Sequence, residues 1–559
     1  MKKSIFILIF FAFINTAFTS AEATTITKYS ESQSPYGKKK NFKKMKAYFR
    51  YRDADYNGAL RILREIYEKN PADAKTNYMM GKCYVQLQEM DKAISFLNKS
   101  ISLKADIDND VHYYLGQAYQ YQGKLDSAIT EYTTYKSSLK QEKLKYDPVV
   151  DLLEQTQTAK NLMAHPVNVT IKNLGAEINS EYDDAMPSIT ADGKTLIFTS
   201  RRPDTKGGAI DPNTGQYYDD IYIATWNDEK NKWSSSEDAE GELNTAGHDA
   251  CLSISPDGSI IFVYRNIAKV TGSGDIYYSV KRPDGKWSNP KNIDKPINTS
   301  FFESSACLSP DGNTLYFISE RNGGNGNADI WKSKKLGKNL WAKPENLGPV
   351  INTIEDELGV YIHPDGKTLF FTSKGHNSMG GYDVFMSRMN PDSTWSVPVN
   401  LGYPINSTKD ELSFVLTTDG KKAYISSRKE NGLGGADIYE IDMTKYFYPI
   451  GIDGKVEENI VETELSILKG TVIESNSAQQ TEAEIVIKDV ATGKETKIES
   501  DDNGDYFVTL KGNKDYEISV AKEGYKKYSE KVTLPYDKTK TYTLVKLIVL
   551  EKLPEEKKE

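Results

Sequence analysis

A regular repeat in the middle of the chain constrains the fold more than any other feature of the sequence. Asp-Gly pairs recur in phase at Asp192-Gly193, Asp257-Gly258, Asp311-Gly312, Asp365-Gly366 and Asp419-Gly420. The last four pairs are equally spaced, and only the first interval is longer. An Asp-Gly pair between alternating hydrophobic residues is a strong β-hairpin signal. The pattern therefore predicts five repeated β units.

Two further markers stay in phase with these turns. An aspartate followed by an aliphatic and an aromatic residue recurs at Asp220, Asp275, Asp329, Asp383 and Asp437. Tryptophans recur at one constant interval, at Trp233, Trp287, Trp341 and Trp395. Each unit is thereby predicted to contain four short strands, which is typical of a β-propeller blade. Extra residues around 203–218 lengthen the first unit and predict an exposed loop.

The number of blades depends on how the ring closes. The last unit has three predicted strands and ends near Tyr446. Residues 167–175, before the first unit, end in Asn-Leu-Gly, as do the fourth strands of later units. This N-terminal strand would complete a fifth blade, and we favour five blades within residues 166–447. The alternative is a sixth blade built from residues 446–464.

An acidic residue stands eight positions before each turn aspartate, at the start of the first and innermost strand. The five residues are Asp184, Asp249, Glu303, Glu357 and Glu411. They could form an acidic ring at the channel mouth that binds a cation or a basic partner segment. The alternative, which we favour, is a repeated structural latch in which each carboxylate accepts backbone hydrogen bonds from the neighbouring blade.

Residues 41–165 have the hydrophobic period of helices and repeat at about 34 residues. Ala59, Ala93 and Ala128 follow this spacing, and Gly81 and Gly116 each precede a tyrosine by three positions. Small residues at these positions let helices approach closely. The pattern resembles three tetratricopeptide repeats, followed by a capping helix that starts near Asp147-Pro148.

The tetratricopeptide resemblance implies a concave groove that holds a peptide or a partner helix. The groove residues that we predict are Tyr78, Tyr84, Tyr113 and Tyr119. Tyr84 and Tyr119, with Phe96 and Tyr132, are expected to fill the space between neighbouring helix pairs. The alternative to partner binding is that the array is a packing spacer.

Residues 466–548 form short alternating segments separated by turn residues, after a linker over 448–465. The Asp-Asn-Gly corner at 502–504 and the Glu-Gly-Tyr corner at 523–525 resemble those of the carboxypeptidase regulatory-like domain, a small β-sandwich. That resemblance implies no chemistry, and either ligand binding or a spacer role. A charged tail follows over 549–559. The fold class is thus a multidomain α plus all-β chain.

The N-terminus predicts export. Lys2 and Lys3 precede an apolar stretch over residues 5–18, and Ala21-Glu22-Ala23 fits a cleavage site. The apolar stretch is shorter than the ~20 residues that span a bilayer, so we expect a signal peptide over 1–23 rather than an anchor. A linker over 24–40 follows. We expect a periplasmic location, associated with the outer membrane, with no membrane-spanning segment after cleavage.

The sequence carries no recognisable catalytic or metal-binding motif. None of the five histidines stands in metal-ligand spacing with another histidine or a cysteine. Cys83, Cys251 and Cys307 are too few for a disulfide framework and are predicted to be buried apolar residues. A net charge of −8 argues against a nucleic-acid partner. We therefore expect no enzyme activity, no cofactor and no metal.

The order of these regions resembles a family of Bacteroidetes envelope proteins with the PorE-like layout. In that family an OmpA-like domain usually follows, and this sequence shows none. The propeller repeats are also similar to the WD40-like repeats of TolB-type periplasmic proteins. The resemblance implies a scaffold for envelope proteins, such as an outer-membrane barrel or a secretion component, in a type IX secretion or gliding assembly. The alternatives are a protein that binds carbohydrate or peptidoglycan and, less favoured, a propeller hydrolase.

Overall fold

The computed structural model describes residues 42–208, 210–211, 215–265, 274–337, 340–429, 432–446, 461 and 463–553. The predicted signal peptide and first linker lie outside these residues, as do most of the second linker and the end of the charged tail. The chain divides into two units. One contains the helical residues up to His165 with 377–381 and 407–409, and the other contains the remaining β-rich residues.

The helical unit confirms the predicted tetratricopeptide-like array. Within residues 42–165 the helices are α1 Phe42–Arg52, α2 Tyr56–Lys69, α3 Ala74–Gln86, α4 Met90–Leu103, α5 Asp110–Tyr121, α6 Leu125–Ser138, α7 Gln141–Leu144 and α8 Val149–Ala164. They form three antiparallel pairs, α1 with α2, α3 with α4 and α5 with α6, and α8 packs against α6. The backbone N–H of Val149 donates to Asp147 Oδ1 at 3.1 Å, so this aspartate caps α8.

Small residues at the repeated positions explain the close approach of the helices. A Cβ at Gly81 would lie 2.6 Å from the Leu97 side chain, and one at Gly116 would lie 2.5 Å from the Tyr132 ring. Ala59, Ala93 and Ala128 are fully buried. The second and third repeats therefore place a larger side chain on the second helix against a glycine on the first.

Within residues 166–446 the strands form five sheets, which confirms the propeller. Blade 1 contains β2 Asp184–Ile189, β3 Thr195–Ser200, β4 Asp220–Asn227, β5 Lys232–Trp233 and β6 Glu237–Asp238. Blade 2 contains β7 Ala250–Ile254, β8 Ile260–Arg265, β9 Asp275–Val280 and β10 Lys291–Asn292. Blade 3 contains β11 Glu303–Leu308, β12 Thr314–Ser319, β13 Asp329–Gly337, β14 Leu340–Trp341 and β15 Glu345–Asn346.

The last two blades complete the ring. Blade 4 contains β16 Glu357–Ile362, β17 Thr368–Ser373, β18 Asp383–Arg388 and β19 Val399–Asn400. Blade 5 contains β20 Phe414–Leu416, β21 Lys422–Ser427, β22 Asp437–Asp442 and the N-terminal strand β1 Thr170–Asn173. β1 pairs antiparallel with β22, with Asn173 opposite Tyr439. The strand before the first unit thus closes the fifth blade, as the repeated Asn-Leu-Gly predicts.

The Asp-Gly turns follow one local rule in every blade. Each glycine has a φ between 68° and 79°, which side chains other than glycine rarely adopt. Each aspartate accepts a hydrogen bond from the backbone N–H two residues later, at 3.1 Å in Asp192 and 2.8 Å in Asp365. Because the aspartate hydrogen bond and the positive φ of the glycine are local features, the turns can be predicted from the sequence.

The tryptophan marker packs neighbouring blades together. Trp233 of blade 1 meets Tyr424 of blade 5 edge to face, with ring centroids 6.1 Å apart. Trp395 of blade 4 meets Tyr316 of blade 3 in the same way, at 6.4 Å. The outer part of each of these interfaces is therefore an aromatic contact.

The C-terminal residues form the predicted β-sandwich. The strands are β23 Leu465–Glu474, β24 Glu484–Asp489, β25 Glu495–Glu499, β26 Asp505–Lys511, β27 Lys514–Val520, β28 Tyr528–Leu534 and β29 Tyr542–Leu550. One sheet has the order β26-β23-β29, and the other has the order β25-β24-β27-β28. A Cβ at Gly470 would lie 1.8 Å from the Lys546 carbonyl oxygen, so the parallel pairing of β23 with β29 requires glycine there.

The sandwich contacts the propeller on the face that carries the Asp-Gly turns. Thr509 Oγ1 donates to the Pro364 carbonyl at 2.5 Å, and Lys469 Nζ lies 3.4 Å from Asp192 Oδ2. Lys421 Nζ also donates to the Lys538 carbonyl. The start of each innermost strand lies at the opposite face of the propeller.

Candidate interaction sites

The five acidic residues predicted as a ring lie at the inner start of each blade. Their residue exposure is 0 % at all five positions, Asp184, Asp249, Glu303, Glu357 and Glu411. A carboxylate without exposed surface has no direct access to a partner segment in solution. The structure therefore places these side chains inside the junctions between blades and not on an open surface.

A hydroxyl residue four positions earlier binds the carboxylate in the first four blades. The hydroxyl-to-carboxylate distances are 2.7 Å for Ser180–Asp184, 2.7 Å for Thr245–Asp249, 2.6 Å for Thr299–Glu303 and 2.9 Å for Thr353–Glu357. The backbone N–H of the same Ser or Thr donates to the same carboxylate. This geometry is a latch, but its donors lie in the loop that enters the strand and not in the neighbouring blade.

An asparagine five residues before each acidic residue joins consecutive blades. Between blades 3 and 4, Asn352 Oδ1 accepts the Ile330 N–H at 2.8 Å and Asn352 Nδ2 donates to the Ile330 carbonyl at 3.0 Å. Equivalent pairs of bonds join Asn179 to Ile438, Asn244 to Ile221, Asn298 to Ile276 and Asn406 to Val384. These asparagines are absent from the sequence predictions, although they recur in phase with the Asp-Gly turns.

Cations accompany the acidic residues of the first three blades. The distances are 2.7 Å from Arg202 Nη2 to Asp184 Oδ1, 2.5 Å from Arg265 Nε to Asp249 Oδ1 and 3.4 Å from Arg321 Nη2 to Glu303 Oε1. In blade 4, Ser373 Oγ donates to Glu357 Oε1 at 2.8 Å, as Ser319 Oγ also donates to Glu303 Oε1 in blade 3. Burial raises the pKa of Glu357 to about 8, against the hydrogen bonds from Ser373 and Thr353. Glu357 is therefore mostly protonated at neutral pH.

The aspartates that precede an aliphatic and an aromatic residue in each repeat, here called the marker aspartates, are also buried. They are Asp220, Asp275, Asp329, Asp383 and Asp437, and in four blades an asparagine side chain donates a hydrogen bond to them. The distances are 2.8 Å for Asn173–Asp437, 3.1 Å for Asn292–Asp275, 3.4 Å for Asn346–Asp329 and 2.6 Å for Asn400–Asp383. Blade 1 departs from this rule because Asp238 occupies the equivalent position opposite Tyr222. Burial, with the Asp249 and Asp238 carboxylates, raises the pKa of Asp220 to about 7.

In the helical unit, the first helices of the three pairs share one polar cluster. Lys82 Nζ of α3 lies 5.3 Å from the Tyr51 ring centroid of α1 and 4.5 Å from the Tyr114 ring centroid of α5. It also lies 5.0 Å from the ring of Tyr78, whose hydroxyl donates to Asp110. We call Tyr51, Tyr78, Lys82, Asp110 and Tyr114 the tyrosine–lysine cluster.

Lys82 is held in its charged form by this cluster. Its side chain is 13 % exposed, and its Nζ lies 3.3 Å from Asp110 Oδ2. Burial lowers the pKa of Lys82, but Tyr114 and Asp110 outweigh that effect and the pKa lies above its usual value. The cluster therefore presents one fixed ammonium among the partly exposed rings of Tyr51 and Tyr114.

The four predicted groove tyrosines lie in different environments. Tyr78 belongs to the tyrosine–lysine cluster. Tyr84 stacks on Phe96 of α4, with ring centroids 5.5 Å apart. Tyr113 packs edge to face against Tyr135 of α6 at 5.4 Å, and Tyr119 packs against apolar residues on both sides of α5. One of the four thus lies on the face shared by the first helices, and the others fill the space between helices.

Chemistry-bearing side chains elsewhere are paired or isolated. The three cysteines are buried and unpaired, and burial raises the pKa of Cys83 and of Cys307 to about 12. Within the described ranges, no three His, Cys, Asp or Glu side chains are grouped so as to hold a metal ion. In the same ranges, every helix is too short or too polar to cross a bilayer.

Two family models match parts of the chain. A tetratricopeptide repeat model matches residues 51–112, and a carboxypeptidase regulatory-like domain model matches residues 467–547. They bear out the helical array and the sandwich, and each covers well under half of the chain. No curated protein matches the sequence significantly.

Several solved structures are similar to single regions. The first tetratricopeptide region of Spaghetti bound to an HSP90 peptide is 17 % identical, covers 21 % of this chain and 90 % of that chain, and has a TM-score of 0.18. An α-L-arabinofuranosidase from Lactobacillus brevis is 16 % identical over 50 % of this chain and 96 % of that chain, with a TM-score of 0.32. An N-acetylgalactosamine deacetylase from F. plautii is 10 % identical over 49 % and 95 %, with a TM-score of 0.33. These values carry no argument about activity.

Proposed function

We propose that this protein is a non-enzymatic scaffold of the bacterial envelope whose helical array holds a segment of a partner protein. The tyrosine–lysine cluster is the observation that carries this proposal. Three successive first helices contribute to it, so a segment lying across them meets all three repeats at once. Arrays of this kind use that face for protein recognition.

The propeller and the sandwich contribute to a scaffold as rigid supports. The acidic residues of the propeller accept hydrogen bonds within the blade junctions, which is a structural use of carboxylates that would otherwise suggest binding of a cation or a basic segment. The export signal and the PorE-like layout favour a periplasmic location near the outer membrane. We propose an outer-membrane barrel or a secretion component as the partner, in a type IX secretion or gliding-type assembly.

The test is a pull-down from crosslinked envelopes with the tagged full chain, followed by mass spectrometry. Lys82→Met removes the ammonium from the cluster. Lys99→Met is the matched control, because Lys99 Nζ lies 4.7 Å from the Tyr67 ring centroid and 2.8 Å from its hydroxyl, on the second helices of the array. We expect an envelope protein whose recovery falls at least about fivefold with Lys82→Met and is unchanged with Lys99→Met.

Two results would count against the scaffold. Equal recovery of the envelope protein with both variants would show that the tyrosine–lysine cluster does not bind it. Binding of purified peptidoglycan or polysaccharide, with no protein above background, would favour the carbohydrate-binding alternative.

A further inference from the structure

The hairpin between the third and fourth strands of blade 3 differs from its counterparts. Counted from the marker aspartate, β13 has nine residues, whereas β9 and β18 each have six and β4 has eight. The marker aspartate and the tryptophan are 12 residues apart in blades 2, 3 and 4 alike, so the hairpin of blade 3 has the same length as its counterparts. Its two strands stay paired farther, as far as Gly337 and Leu340.

Two leucines are exposed at the end of this hairpin. Leu336 is 64 % exposed and Leu340 is 55 % exposed. They lie on opposite strands beside the last paired residues, since Gly337 is opposite Leu340 and Lys335 is opposite Trp341. In the described parts of the other three hairpins, within 225–233, 280–287 and 388–395, no large apolar side chain is as exposed. The leucines are thus a property of this hairpin and not of the fold.

The same hairpin is strongly basic in an acidic protein. Residues 332–343 contain five lysines and no acidic residue, whereas the chain carries a net charge of −8. The equivalent hairpins contain Asp228, Asp284 and Asp392. Lys332 Nζ lies 3.6 Å from Glu345 Oε2. Among the described residues, Lys334, Lys335 and Lys343 form no ion pair.

The size and the charge of this exposed hairpin surface together indicate which kind of partner it can bind. A stable protein–protein interface buries roughly 800 Å² on each partner, far more than two leucines expose. A bilayer accepts a small apolar wedge, because the leucines enter the boundary between headgroups and acyl chains while adjacent lysines meet anionic headgroups.

We propose that Lys334, Lys335, Leu336, Leu340 and Lys343 form a contact for the surface of an anionic phospholipid bilayer. The leucines insert into the interface, and the lysines select negatively charged lipid. The contact is peripheral and reversible, because one small wedge gives weak binding by itself. This inference is independent of the proposed scaffold role, since the helical array takes no part in it.

The test is flotation of the full chain with lipid vesicles at low salt. One set of vesicles contains phosphatidylcholine alone, and in the other a third of the lipid is phosphatidylglycerol. We expect binding to the anionic vesicles that weakens as salt is added. Leu336→Ser with Leu340→Ser should reduce the partition coefficient at least about tenfold. Lys334→Glu with Lys335→Glu should abolish the preference for anionic lipid.

Val397→Ser is the matched control, because Val397 is 78 % exposed but lies outside the hairpin, and we expect it to bind like the unmodified chain. Trp341 gives a second readout, since lipids brominated on the acyl chains should quench its fluorescence and Trp341→Phe should remove that quenching. Vesicle binding that survives both hairpin variants, or no binding to anionic vesicles, would overturn the proposal. Hairpin-dependent binding to a membrane protein without vesicle binding would also overturn it, in favour of a protein partner.

Discussion

The helical array and the propeller are both built from repeats, but different interactions join their repeats. In the array, a glycine on one helix receives a bulky side chain from the next, as Gly116 receives Tyr132. In the propeller, a buried asparagine binds both backbone groups of a residue in the preceding blade, as Asn352 binds Ile330. The array is thus joined by close apolar packing, and the propeller also by directional hydrogen bonds.

This difference teaches how to interpret repeated and unrepeated residues. A polar residue that recurs in every blade, such as the acidic residue of the latch, stabilises the ring. A residue that is present in only one repeat unit does not take part in this repeated stabilisation, so its presence needs another explanation. Lys82 in the array, Asp238 in blade 1 and Leu336 in blade 3 are departures of this kind. Four measurements would break or sharpen the comparison, and they follow in order of expected effect.

Replacing the junction asparagine should have the largest effect. Asn352→Ala leaves the N–H and the carbonyl of Ile330 buried without their side-chain partner. The Ile330 carbonyl also accepts the Leu347 N–H, so the buried N–H carries most of the cost. At about 1–3 kcal/mol for an unsatisfied group, we expect the free energy of unfolding of the propeller to fall by about 2–3 kcal/mol. Hydrogen exchange measured by mass spectrometry should show faster exchange in propeller peptides and no change in residues 42–165.

Asn390→Ala is the control for this variant, since Asn390 is exposed in the hairpin of blade 4. A loss below about 1 kcal/mol for Asn352→Ala would show that apolar packing alone joins the blades. Faster exchange in the array would show that the two regions do not unfold independently.

Overpacking should act on the array alone. In Gly116→Ala the new methyl group would lie 2.5 Å from the Tyr132 ring, which is fully buried. Its steric cost outweighs the gain in helix propensity, and we expect a net loss of about 2 kcal/mol, measured by hydrogen exchange within α5 and α6. Thr130→Ala, at an exposed position of α6, controls for propensity. An array stabilised by Gly116→Ala would mean that the helices separate at no cost.

The pH should affect the propeller more than the array. Burial raises the pKa of Asp220 to about 7, of Asp275 to about 6 and of Glu357 to about 8. The folded propeller therefore holds protons that the unfolded chain, with carboxyl pKa values of about 4, has already released. Stability must then fall as the pH rises from about 5 to about 8.

In the array, burial raises the pKa of Asp108, but the pKa of Asp73 shifts in the opposite direction, since its hydrogen bonds with Lys44 and Thr76 outweigh burial. Its stabilising effect is complete above pH 5 and is lost in more acidic solution. We expect propeller peptides to lose at least about 1–2 kcal/mol of protection between pH 5.5 and pH 8, after correction for intrinsic exchange, and array peptides to lose less. Equal losses in both regions would contradict this assignment.

Restoring the consensus of the repeat in blade 1 should have the smallest effect. Asp238→Asn removes a carboxylate near Asp220 and supplies the amide donor that the other four blades have. We expect a gain of about 1 kcal/mol at pH 8, little change at pH 5, and a lower pKa for Asp220 in an NMR titration. The reverse variant, Asn292→Asp in blade 2, should raise the pKa of Asp275 and destabilise that blade. If both variants change stability in the same direction, charge is not the cause.

The sequence allows the propeller to be predicted almost strand by strand, because its turns depend on local chemistry. An aspartate that binds the N–H two residues later and a glycine with positive φ leave the same two letters in every blade. The closing strand is predictable for the same reason, since Asn173 marks the same position as Asn400. The junction asparagines carry an equally regular signal and are recognised only when each loop is aligned on the following acidic residue.

The candidate sites were less predictable, because side-chain direction depends on tertiary packing. Tyr84 and Tyr119 stand at equivalent positions of the repeat, but the packing of each helix against its neighbours buries Tyr84 and partly buries Tyr113 and Tyr119. Lys82 gives no periodic signal, since one lysine on a helix usually lies in solvent. Its role depends on rings from two other helices, which no local pattern predicts.

Closure of the ring by β1 makes the two ends of the propeller sequence depend on each other. The pairing of β1 with β22 joins the first strand of this region to its last. A chain truncated before the fifth blade would therefore leave the backbone groups of β1 unpaired, as on an exposed sheet edge. One four-residue strand thus makes folding of the whole ring sensitive to loss of its last blade.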